Sequence, residues 1–186
     1  MSKKEIRSDF LEKRRSFSQE QVQEKSALIF EKLFSLEEFS QAKNIGVYVS
    51  FKKEVETIKI IEKLLKDGKN IYSPVMDIEK ERFSFAKISS LDSMIENKYG
   101  VLEPTEKELV DVSKIEVFLV PGAVFDLQGN RIGWGKGYYD KFFGENKTNG
   151  TKIGLFFEFQ KVEAIDPESF DVKMDFIVTE KQIYKF

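Results

Sequence analysis

Between residues 120 and 140 the chain reads VPGAVFDLQGNRIGWGKGYYD. Gly122, Gly129, Gly133, Gly135 and Gly137 leave backbone N–H groups bare there and let the chain approach a ligand closely. Arg131 and Lys136 in the same span make that ligand anionic, and a polyphosphate fits first. The loop 133–137 would feed a helix starting near Tyr138, and a helix N-terminus attracts anions. Asp140, in the first helical turn, is placed to hold a magnesium ion. The plainer reading is a structural glycine loop with a surface lysine and two core tyrosines. Crowding of Arg131, Lys136 and Asp140 into one turn-sized region argues instead for a site. It is not a Walker A loop, because Gly137 follows Gly135-Lys136 where Ser or Thr would stand. Nor is it the dinucleotide fingerprint, since its glycines recur at spacing two and not directly at a strand end.

What the chain lacks narrows its chemistry. It has no cysteine and no histidine, which removes thiolate nucleophiles, disulfides, zinc ribbons, triads and imidazole acid–base work. Carboxylates, Lys, Arg, Tyr, Ser, backbone dipoles and a hard cation remain, so positioning and charge neutralisation are expected to outweigh covalent catalysis. A net charge of −2 argues against binding nucleic acid by bulk electrostatics. No run reaches about 18 apolar residues, the charged start MSKKEIRSDFLEKRR is no signal peptide, and the cytoplasm is expected. One domain over residues 1–186 is expected, with length enough for a substantial core.

Several elements must position that loop. Residues 3–34 read as one long helix or two, with a capping box at Ser18 and Gln21 marking a fresh start. Lys3, Lys4, Arg7, Lys13, Arg14 and Arg15 lie on or beside the first part; they read as a solvated surface unless one or two reach a phosphate. Residues 44–50 and 69–75 read as strands around a helix at 58–67, with Thr57 as N-cap, Gly68 as C-cap and Pro74 ending the second strand. That unit implies parallel pairing with a right-handed crossover, and ligands then bind beyond the strands' carboxyl ends. The loop 50–56, carrying Glu54 and Glu56, becomes a candidate wall of the site, though both carboxylates could simply face the helix dipole. Further strands are expected at 82–88, 115–120, 152–157 and 175–179, with a tight hairpin around Gly129-Asn130 and a possible edge at 182–186. Residues 91–96 read as a short helix or turn and 99–105 as a loop. The sum is a mostly parallel sheet of six strands with helices on both faces.

The assembled residues resemble the 5-formyltetrahydrofolate cyclo-ligase family, also called 5,10-methenyltetrahydrofolate synthetases. The resemblance rests on Pro121-Gly122, Phe125-Asp126, Gly129-Asn130-Arg131 and GWGKGYYD from Gly133 to Asp140. It extends to Lys3 to Arg7, to VYVSFKKEVET, to the Gly100 to Pro104 loop and to Asp175. It implies a three-layer α/β/α sandwich with a mostly parallel, Rossmann-like sheet. It also implies an ATP- and Mg²⁺-dependent ring closure of 5-formyltetrahydrofolate through a phosphorylated formyl intermediate.

Carried over by position, Lys3, Arg7, Arg131, Gly133, Gly135, Lys136, Gly137, Tyr138 and Tyr139 would meet ATP, with Arg131 and Lys136 catalytic. Asp140 and Asp175 would hold Mg²⁺, while Val49, Glu54, Trp134 and Tyr138 would line the folate pocket. Glu54 suits a pterin, whose amino and ring N–H groups donate in pairs. Trp134 departs from the commoner occupants of its position and would stack on a ligand or simply pack. A monomer acting on small molecules, without nucleic acid or membrane, is the expectation. Two other classes stay open: a nucleotide- or folate-binding protein without chemistry, and an RNA-associated module, which would need a basic face.

Overall fold

The computed structural model describes residues 2–77, 79, 80, 82–98 and 100–186. Two capped helices open the chain: α1 over Lys3–Arg15 and α2 over Gln19–Ser35. Each begins with a serine capping box, Ser2 with Glu5 and Ser18 with Gln21, which satisfies two otherwise orphaned N–H groups at each start. A short α3 at Glu37–Ser40 leads into β1, Asn44–Val47. After α4, Ile58–Lys66, Gly68 N–H bonds Leu65 O and Lys69 N–H bonds Leu64 O, each at 3.0 Å, the paired closure of a Schellman motif. Thr57 does not cap α4; its hydroxyl donates to Tyr48 O at 2.7 Å and accepts from Ser50 N, bracing the loop between them.

The remaining strands are β2 Asn70–Asp77, β3 Arg82–Ile88, β4 Met94–Glu96, β5 Leu102–Pro104, β6 Val117–Val120, β7 Val124–Phe125 and β8 Arg131–Ile132. Then follow α5, Tyr138–Glu145, and β9 Thr151–Leu155, β10 Phe176–Val178 and β11 Ile183–Lys185. Among the described residues seven strands form the main sheet in the order β11-β10-β9-β6-β1-β2-β3, the six expected from the apolar runs and the edge expected at 182–186. The five inner strands are parallel, and β3 and β11 pair antiparallel at the two edges. The expected β1–α4–β2 unit forms as a parallel pair. Pro74 does not end β2: the register with β1 stops at Tyr72, so its missing N–H takes nothing from that ladder.

Alternation along β6 shows why both faces are covered. Val117 and Leu119 join a core under α2 and α4, while Phe118 and Val120 join another that includes Phe142 of α5. Truncating a fully buried ring such as Phe118 to alanine would cost about 3–5 kcal/mol. Two small antiparallel pairs stand apart from the sheet. Residues expected as turn and loop instead form β4 and β5, although Tyr99, where the expected loop begins, lies outside the described residues. The hairpin β7–β8 pairs Phe125 with Arg131, so its turn spans five residues and not two. Asp126 organises it, its carboxylate accepting from the N–H groups of Gln128, Asn130 and Ile165 and from Asn130 Nδ2.

Candidate active site

The site lies past the carboxyl ends of the parallel strands, where Tyr48 and Val49 leave β1 and Pro121 leaves β6. A cleft of about 1060 Å³ opens there. Its walls come from the loop after β1, the β4–β5 flap, the β7–β8 hairpin, the glycine loop, α1 and the segment 168–172.

One end is cationic. Lys3 and Arg7, a turn apart on α1, arrive beside the glycine loop, and Arg7 Nε donates to Gly133 O at 3.0 Å. Arg131, projecting from β8, gives Nη2 to Asp140 Oδ1 at 3.0 Å, with its side chain only 2% exposed. Asp140 Oδ1 also accepts from Val172 N–H at 3.2 Å, which pins the 168–172 segment to the first turn of α5. Gly137 precedes α5 in the left-handed region at φ 65°, turning the chain sharply into the helix. Lys136 is exposed and lines the cleft with Gly133, Gly135 and Gly137. Burial places two unpartnered polar atoms here, Arg131 Nε and the Tyr139 hydroxyl, and it pushes the Tyr139 phenol far up. The ring of Tyr139 meets Phe83 edge-on at 4.8 Å, so this tyrosine is both core and cleft wall.

The other end is mostly apolar and carries two buried carboxylates, Glu54 and Glu103. Val49, Phe51, Met76, Leu102 and Trp134 line the cleft together with Glu54, which is 5% exposed. Glu54 Oε1 accepts from Trp134 Nε1 at 2.7 Å and Oε2 from Phe51 N–H at 3.0 Å. Burial pushes this carboxyl up; Arg14 and those two donors pull against the shift. The loop that presents Glu54 carries two consecutive left-handed residues without glycine, Lys52 and Lys53. Lys53 Nζ holds the pair in place by donating to the carbonyls of Arg15, the last residue of α1, and of Phe17 just beyond it.

The structure therefore brings Val49, Glu54, Trp134, Tyr138, Tyr139, Lys3, Arg7, Arg131, Lys136 and Asp140 into one cleft. Asp175 is not brought there. It precedes β10, at the amino ends of the parallel strands, and pairs with Lys152 Nζ at 2.9 Å and Lys152 N–H at 2.7 Å. Four residues earlier, Asp171 does line the cleft, and together with Glu168 it pairs with Lys3 Nζ. Glu56 also leaves the site, accepting from Gln19 Nε2 at 2.6 Å.

Two contributors were not singled out from sequence. Glu103 of β5 is buried and accepts from Met76 N–H and Asn97 Nδ2, fixing the flap to β2. Arg14, expected on a solvated surface, is 2% exposed. Its seven-residue spacing from Arg7 was the available signal, since that places both on one face of α1.

Among the described residues no group of three or more carboxylates is placed to hold a metal. Asp140 and Asp171 fit a more modest role. Magnesium ions that arrive on phosphates commonly need only one or two protein carboxylates.

A basic, glycine-lined pocket and a buried carboxylate thus share one cleft on a mostly parallel α/β sheet. The sequence profile of the 5-formyltetrahydrofolate cyclo-ligase family matches residues 1–180, and the chain belongs to that family. It is an enzyme of this type. It is 29% identical over 177 residues to the 5-formyltetrahydrofolate cyclo-ligase of Haemophilus influenzae, covering 92% of this chain and 94% of that one. The NMR structure of the Aquifex aeolicus 5,10-methenyltetrahydrofolate synthetase is similar at a TM-score of 0.87 and 32% identity, over 100% of this chain and 93% of that one. The synthetase from Mycoplasma pneumoniae gives a TM-score of 0.79 at 25% identity, over 97% and 99%. No described helix is long and apolar enough to cross a membrane.

Proposed function

We propose that the chain converts 5-formyltetrahydrofolate to 5,10-methenyltetrahydrofolate with ATP, releasing ADP and phosphate, as a cytoplasmic monomer. The formyl oxygen on N5 attacks the γ-phosphorus and ADP leaves. N10 then attacks the activated formyl carbon, closing the ring and expelling phosphate with the formyl oxygen. The observation carrying this reading is the placement of Lys3, Arg7 and Arg131 beside the glycine loop while Glu54 waits at the cleft's apolar end.

Each group has a defined part. The loop N–H groups with Lys3, Arg7 and Arg131 bind the triphosphate, and Lys136 neutralises charge that develops on the γ-phosphoryl group. For Lys3 this requires exchange of its Glu168 and Asp171 partners for phosphate oxygens. Bound Mg²⁺ would supply further charge neutralisation on the triphosphate, held by Asp140 and Asp171. Glu54 accepts the pterin's paired N–H donors, and Val49, Trp134 and Tyr138 line that pocket. Phosphoryl transfer depends mainly on such positioning, so the lack of His and Cys is no handicap.

The test is direct. With 5-formyltetrahydrofolate, ATP and Mg²⁺, the methenyl product's absorbance should grow in step with ADP. Tight binding of either substrate without ADP release would replace this reading with a binding protein.

A further inference from the structure

The long N-terminal helix also reaches the folate end of the cleft, through Arg14. This side chain gives Nη1 to Gly122 O at 3.2 Å, and its Cζ lies 4.8 Å from the centroid of the Trp134 ring. Its Nη2 is buried without a partner. The same indole donates its N–H to Glu54. Trp134 is thus held twice, on its face by a guanidinium from α1 and at its edge by the carboxylate.

We infer that Arg14 is a positioning residue, which through Trp134 and by its own positive charge holds the Glu54 carboxylate aimed into the cleft. For its consequence in turnover the inference rests on the folate reading above. Burial alone disfavours both charges. It pulls Arg14 down and Glu54 up, and each opposes the other's shift. An arginine left unpaired in this place would be expensive, so a purely space-filling role fits poorly. Tyr48 just past β1 and Tyr139 of α5 feel the charge of Glu54, and burial holds both phenols protonated and neutral, while Lys52 and Lys53 flank it on its own loop. Arg131 lies 5.7 Å from the ring of Tyr139, and Arg14 is the opposite charge that works against the burial of Glu54.

Trp134 is the chain's one tryptophan, so its emission reports this cluster without any substrate. The experiment is a pH titration of emission for the wild type, Glu54→Gln, Arg14→Met and Arg14→Lys. Glu54→Gln should abolish the acid transition. Arg14→Met should move its midpoint up by about one unit or more, as loss of a nearby opposite charge does. Arg14→Lys should keep the midpoint within about half a unit while altering the emission, because an ammonium carries the charge without the flat stacking face. In turnover, Arg14→Met should raise KM for the folate about tenfold or more and leave KM for ATP nearly unchanged. Coincident midpoints for the wild type and Arg14→Met would overturn the inference. If Arg14→Met does not fold, Arg14→Lys decides, and unchanged emission there overturns it. A shifted midpoint in a protein that fails to cyclise the folate would leave the inference standing and remove the functional reading.

Discussion

The guanidinium of Arg7 occupies the space that any side chain at Gly135 would need. A Cβ built on Gly135 falls 2.6 Å from Arg7 Nη1 and 2.9 Å from Cζ, and the residue's φ is +103°. Gly135→Ala should therefore combine backbone strain of about 1–3 kcal/mol with displacement of Arg7. Gly137→Ala shares the positive φ, at +65°, but meets nothing within 4 Å. Urea denaturation should show both variants weakened, while only Gly135→Ala shows a large rise in KM for ATP. Equal ATP defects in the two would mean that the approach of Arg7 is not what the glycine protects.

Lys136 separates chemistry from folding. Its side chain is exposed at the cleft, so Lys136→Ala should change stability by no more than about 0.5 kcal/mol. Turnover should fall by about 10²–10³, the usual loss when one group stabilising transition-state charge is removed. Near-normal kcat in a folded variant would take Lys136 out of the mechanism.

The three aspartates should behave unlike one another. Asp140 partners a buried guanidinium, and Asp140→Ala should cost about 3–5 kcal/mol because Arg131 is left uncompensated. Asp171→Asn should raise the Mg²⁺ concentration needed for half-maximal rate. The Asp175–Lys152 ion pair lies nearer solvent and is worth about 1 kcal/mol at most, so Asp175→Asn should keep both activity and metal dependence. A metal titration of Asp175→Asn that matched Asp171→Asn would contradict this placement.

Glu54 also makes a prediction about pH and stability. Its folded value is raised above 4.5, so the native state binds more protons than the unfolded chain in the window above that pH. This contribution is complete below 4.5 and is lost as pH rises through the folded value. Carboxyls held low by their bonds, such as Glu116 and Glu158, act with the opposite sign at acid pH and cancel in a comparison with Glu54→Gln. The wild type should lose thermal stability relative to Glu54→Gln on going from pH 5 to neutrality, measured by calorimetry. Parallel curves would show that Glu54 titrates as it does in the unfolded chain.

Much of this arrangement was legible in residue order. Local signals carried well: both ends of α4's crossover, the Ser18 box and the loop-to-helix step at Gly137 all follow from short-range rules. Long-range pairing carried less. Nothing near residues 94–104 announces a hairpin, because β4 and β5 have three residues each and take their order from the flap's bond to β2. Thr57 carries the composition of a helix cap, yet its hydroxyl is used across the loop by Tyr48 and Ser50. Asp171 and Asp175 are the same residue type four positions apart, and only the path of the chain into β10 separates cleft from sheet bottom. Arg14 was misplaced for a related reason: charge predicts exposure until a second element supplies an opposite charge.

The helix that carries Lys3, Arg7 and Arg14 works as a ruler. Eleven residues advance about 16 Å and close three turns to within about 20°, so Lys3 and Arg14 share one face at a fixed separation. The gap between the cationic end and the apolar end of the cleft is thereby written into backbone pitch, not left to loops. Inserting a single residue between Arg7 and Arg14 would swing the latter by about 100° around the axis. Such a change would leave every cleft side chain present and the two halves out of phase.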